Sequence, residues 1–129
     1  MKQSFFENDK ALLTVMVQAD NPDRIKELID KSVPEGAEAF GMQFEQLKSE
    51  YRTKEVYKDL FAYAKDKPVY VTNYRHTSNE GKTDDMLAAE LVELAKSLIG
   101  VPSQKIDASM TFFEMSMPIN DLFFIPLAK

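Results

Sequence analysis

The chain has 129 residues, of which 44% are hydrophobic and 29% charged, with a net charge of −5 and no cysteine; this is the size and make-up of one globular domain with its own core. The missing cysteines exclude disulfides, thiolate nucleophiles and cysteine-based metal sites. The acidic balance and the mixed signs of "YRTKEVYKDLFAYAKDKP" argue against a nucleic-acid partner. No run approaches the ~18 apolar residues of a membrane span and "MKQSFFENDK" has no signal-peptide core, so no membrane partner and a cytoplasmic location are expected.

Residues 11 to 19, "ALLTVMVQA", form an apolar, β-branched run of strand length. In "DNPDRIKELIDKSV" Asn21 or Asp20 caps a helix, Pro22 suits its first position and Asp23 favours its positive end. Ile25, Leu28 and Ile29 are its buried stripe, and Gly36 is placed to end it. The second strand, "AEAFGMQFEQL" over 37 to 47, points Phe40, Met42 and Phe44 one way and Gly41, Gln43 and Glu45 the other. A second helix fits "TKEVYKDLFAYAK", with Val56, Leu60, Phe61 and Ala64 on one face. The third strand, "PVYVTNYR", sets Val69, Val71, Asn73 and Arg75 against Tyr70, Thr72 and Tyr74. The third helix is capped by Thr83, opens with Asp84 and Asp85, and carries the stripe Leu87, Leu91, Leu94 and Leu98.

The order β-α-β-α-β-α, with crossovers long enough for parallel strands, belongs to a doubly wound sheet or a (β/α) barrel. Strands buried by helices on both faces read apolar throughout. Here Gln43, Asn73 and Arg75 near the strand ends suggest instead the polar mouth of a TIM barrel. The expected class is α/β, a partial (β/α)8 TIM-barrel-like N-terminal half-barrel. A whole barrel takes roughly 250 residues, so residues 1–97 are read as three βα units and 98–129 as a divergent tail. That tail holds only five charged residues, against 32 in the first 97, together with three of the six prolines and three of the seven methionines. Within it "KIDASMTFFEMSM" is a candidate fourth strand. "PINDLFFIPLAK" fits no clear period, and Pro118 and Pro126 disfavour a central strand.

A strand ending in "TNYR", a polar loop with "NEGK" and then a helix resemble the third βα unit of type I 3-dehydroquinate dehydratase. "GAEAFGMQFEQL" resembles that family's second strand, and the resemblance runs over about residues 11 to 97. It implies a (β/α) barrel that dehydrates 3-dehydroquinate in the shikimate pathway through an imine between a lysine and the substrate ketone. The protonated imine acidifies the neighbouring C–H, and a histidine moves the protons. By the same resemblance Arg75 hydrogen-bonds substrate hydroxyls, and Glu80 orients the catalytic histidine across a loop one residue longer than usual. Gln43 stands where the family has an Arg and Gly41 where it has an acid. The family's imine-forming lysine and catalytic histidine lie on later strands; His76, the chain's single histidine, does not match that position.

Taken without the family, Arg75, His76 and Glu80 are polar loop residues, and one histidine beside Glu80 and Asp84 fixes no metal geometry. No metal and no cofactor are expected. "NEGK" lacks the spacing of a phosphate loop. Three accounts follow: a dehydratase-like half-barrel that is cut short or diverted and inactive alone, an enzyme made by pairing two halves, or a small α/β binding or scaffold protein without the chemistry. An isolated half exposes sheet edges and an apolar face, so a homodimer or an aggregation-prone chain is expected, with a small 3-dehydroquinate-like substrate if it is active.

Overall fold

A computed structural model describes residues 11–75 and 77–98, together with short strands at 112–114 and 122–124; His76 and the rest of the chain lie outside the described residues. The elements follow the expected order. They are β1 (Thr14–Val17), α1 (Pro22–Ser32), β2 (Ala39–Gln43), α2 (Lys54–Tyr63), β3 (Val69–Thr72) and α3 (Asp84–Leu98), then β4 (Phe112–Glu114) and β5 (Leu122–Phe124). Each of the first three strands is shorter than the run that predicts it.

The helix boundaries have local causes. The Asn21 side chain accepts a bond from the Arg24 amide at 3.0 Å, with Pro22 in the first turn of α1. Thr53 caps α2 through the Val56 amide, and Thr83 caps α3 through the Met86 amide. After α1 the chain turns through Gly36 at φ +102°, a left-handed conformation that suits glycine.

The sheet has the strand order β1-β2-β3-β4-β5; the first four strands are parallel and β5 returns antiparallel to β4. Leu122–Phe124 lies between Pro118 and Pro126 and takes an edge, the place a proline-flanked strand can occupy. Val17, Phe40, Met42, Val69 and Val71 share one buried cluster with Ile25 and Ile29 of α1, Leu60 and Phe61 of α2, and Leu91 and Leu94 of α3. These strand residues alternate onto one face, so the three helices cover that same face. The register sets Met16, Gly41 and Tyr70 side by side on the opposite face.

The expected helix stripes are buried, with Leu28 and Val56 at the margin of the cluster; the Leu98 side chain lies outside the described residues. Asn21→Ala leaves the Arg24 amide without its acceptor and is expected to cost about 1 kcal/mol, read from the urea midpoint.

Candidate functional site

The carboxyl ends of β2 and β3 carry the polar groups. The alternation of β2 stops at Gln43, where a single 3-10 turn over Phe44–Gln46 begins. Phe44 drops into the core and stacks on Tyr57, ring centroids 4.8 Å apart. Glu45 is carried inward and is 1% exposed. The Thr72 hydroxyl donates to its two carboxyl oxygens at 3.0 and 3.3 Å, so this polar group is buried with a donor in place. Thr72 is in register with Gln43, which is half-buried.

Arg52, just before the α2 cap, joins the two strand-end loops. Its Nε donates to the Leu47 carbonyl at 2.9 Å and one Nη to the Glu45 carbonyl at 2.8 Å and the Ser78 hydroxyl at 3.0 Å. The other Nη donates to Asn79 Oδ1 at 2.9 Å and lies 3.9 Å from Glu90. The Ser78 hydroxyl also donates to the Glu45 carbonyl. Asn79, 2% exposed, passes the network on to Asn73 Oδ1 at 2.8 Å and to the Tyr74 carbonyl at 2.6 Å. Asn73 in turn donates to the Leu87 carbonyl and to Glu90, and Lys82 closes on the other Glu90 oxygen at 2.5 Å.

Burial pushes the Glu90 carboxyl up, but the bonds from Lys82 and Asn73 and the charges of Lys82 and Arg52 outweigh it and hold the group below the usual carboxylate range. Asn73, expected on the mouth face beside Gln43 and Arg75, is turned instead to the helix side. It follows the alternation of Val69 and Val71, which face the helices, and α3 offers a carbonyl and a carboxylate that satisfy both amide hydrogens. Sequence reading passed over Arg52 and Asn79 because their hydrogen-bond partners are up to 27 positions apart, beyond any local pattern.

Arg75 is exposed and paired with Asp84, the first residue of α3, through Nε at 2.9 Å and through a second nitrogen on the same oxygen. Glu80 is exposed in a turn that Gly81 completes at φ +81°. The structure therefore carries Arg75 and Glu80 on an outer loop and Gln43 in the sheet. Lys48 and Lys82, the lysines of the loops after β2 and β3, are ion-paired with Asp20 at 3.2 Å and with Glu90. The hydrogen bond to Asp20 and its charge hold the Lys48 ammonium above its ordinary pKa.

On the helix-free face Tyr70 and Met16 close over Gly41, the phenol oxygen 2.6 Å from the thioether sulfur. A Cβ at position 41 would lie 2.6 Å from Tyr70 Cζ and closer still to Met16 Sδ. The position at which the resemblance expects an acid is thus filled by two neighbouring side chains.

Between α2 and α3 lies an open groove of about 570 Å³, lined by Arg52, Lys54, Tyr57, Ala89, Glu90, Glu93, Leu94 and Lys96. Neither this groove nor the small void beneath it is lined by Gln43, Arg75 or Glu80. Among the described residues no three His, Asp or Glu side chains group so as to hold a metal ion, and no helix is long and apolar enough to cross a membrane.

Arg52→Met retains the aliphatic stem but strands three buried acceptors, and is expected to cost about 3 kcal/mol in chemical denaturation. Glu90 has a lowered folded pKa, so its contribution is present above its ordinary value of 4.5 and is lost as the pH falls through the folded value. In acid titrations followed by circular dichroism, Glu90→Gln is expected to flatten the loss of stability below pH 4.5.

Compared with protein-family models, with curated proteins and with solved structures, the chain finds no match.

Proposed function

We propose that the chain carries the first βα units of a (β/α)8 barrel related to type I 3-dehydroquinate dehydratase, in a form that does not catalyse the dehydration alone. The observation that supports this most is the winding. Consecutive parallel strands are neighbours in chain order, and the three helices share one core with one face of the sheet. A doubly wound sheet reverses its strand order and covers both faces. In a barrel the helix-free face is the interior, and the carboxyl ends of the strands form the mouth.

In this reading Gln43 and the loop bearing Arg75 and Glu80 belong to that mouth and are suited to the hydroxyls of a 3-dehydroquinate-like substrate. Imine formation needs an unprotonated lysine within reach of the ketone. Lys48 and Lys82 are instead engaged in ion pairs with Asp20 and Glu90. The closure of Tyr70 and Met16 over Gly41 also favours a second reading, a non-catalytic α/β binding or scaffold protein, because it removes space that a substrate would enter.

The test is to incubate the full chain with 3-dehydroquinate, follow the absorbance of the conjugated product, and add borohydride to trap any imine. The expected result is no turnover and no lysine adduct, with ligand-dependent amide shifts at Gln43 and from Arg75 to Glu80. An adduct on any lysine would overturn the claim that the chain is inactive alone. Amides that do not respond to the ligand would leave the scaffold reading in its place.

A further inference from the structure

The groove between α2 and α3 lies on the helical side of the sheet, and its chemistry is independent of the dehydratase reading. Most of its charged lining is already engaged. Arg52 is committed to the loop network, Glu90 to Lys82 and Asn73, and Lys96 to Glu93 at 2.9 Å. Two lining groups are different. Among the described residues Lys54 has no ion-pair or hydrogen-bond partner, and the half-buried Tyr57 makes its ring stack on Phe44 while its hydroxyl has no hydrogen-bond partner. They sit three positions apart on α2, so they share one face of that helix. Opposite them α3 supplies the apolar Ala89 and Leu94. A void of about 20 Å³ beneath, walled by Phe44, Arg52, Tyr57, Asn73, Glu90 and Leu91, leaves the floor of the groove incompletely filled.

We infer that this groove is a binding site for a small amphipathic monocarboxylate, its anion on the Lys54 ammonium and the Tyr57 hydroxyl and its apolar body against Ala89 and Leu94. The volume falls within the range of ligand sites, roughly 300–1,000 Å³, and the combination of apolar wall with a few polar groups is typical of them. The charge sign follows from the unpaired groups: one cation and one neutral donor, with both carboxylates of the wall already neutralised by lysines. Burial pushes the Tyr57 phenol up to about 12, so it keeps its proton and can donate to an anion at neutral pH. A cationic ligand would meet the unpaired Lys54 with no free carboxylate to hold it, and a dianion would need a second free cation.

The test uses 3-phenylpropionate as the probe, with the full chain and amide chemical shifts as the readout. Saturable shifts are expected at Val56, Tyr57, Ala89 and Glu93. Lys54→Met and Tyr57→Phe retain the stem and the stacked ring respectively. Each is expected to weaken binding about ten-fold, the equivalent of ~1.4 kcal/mol, with an unchanged melting temperature as the control for folding. The uncharged amide of the probe is expected to bind more weakly by a similar factor. Shifts that map elsewhere, equal binding of the amide, or affinities untouched by both substitutions would each overturn the site.

Discussion

A guanidinium that donates four hydrogen bonds holds the strand-end surface of this protein together. Arg52 is 12% exposed along its side chain and reaches the carbonyls of Glu45 and Leu47, the Ser78 hydroxyl and the Asn79 amide. Those four acceptors belong to two loops that have no strand ladder between them. A planar fork of five donors on a delocalised charge suits such a position, where a lysine ammonium would satisfy fewer acceptors. Because both loops are tied to one side chain, the turn that brings Glu45 inward and the turn that precedes α3 are set together. Asn73 and Asn79 extend the same logic to the body of α3, where Leu87 and Glu90 receive the last bonds. Buried amides of this kind keep their place only when every polar atom is answered.

The two faces of the sheet have different chemistry. One is covered by three helices and filled with Phe40, Met42, Val69 and Val71. The other is crossed by the row of Met16, Gly41 and Tyr70, where the absence of a side chain on Gly41 is what allows the tyrosine ring and the thioether to meet. Glycine here serves close approach and not an unusual backbone angle. The consequence is chemical: a position where a barrel of the dehydratase type would present an acid is filled by a phenol and a thioether. Arg75, drawn to Asp84 at the start of α3, is held by a charge that also favours the positive end of that helix.

The groove between α2 and α3 arises from the same packing. Helices that pack through their inner stripes leave a groove on their outer sides, and here the charged side chains of one wall are paired, Glu93 with Lys96 along α3 and Glu90 with Lys82 of the preceding loop. Lys54 and Tyr57 are left over from that pairing, which gives the groove a positive, hydrogen-bonding end beside an apolar wall.

The sequence by itself determined the order of the elements, their caps and their inner stripes. Asn21 and Thr83, the Ile25/Ile29 and Leu87/Leu91/Leu94 spacings, and the shared face of Phe40 and Met42 are all local signals, encoded within one or two turns of chain. It also marked Gln43, Arg75 and Glu80 as polar residues near strand ends. Only the tertiary structure decided where such groups go. Arg52 finds Asn79 27 positions away, Glu45 finds Thr72 across the sheet, Asn73 turns to α3, and Tyr70 closes on Gly41 and Met16. The reason is physical. Backbone periodicity depends on neighbours in the chain, whereas a buried polar side chain settles on whichever donor or acceptor the fold brings within about 3 Å, and no sequence spacing encodes that meeting.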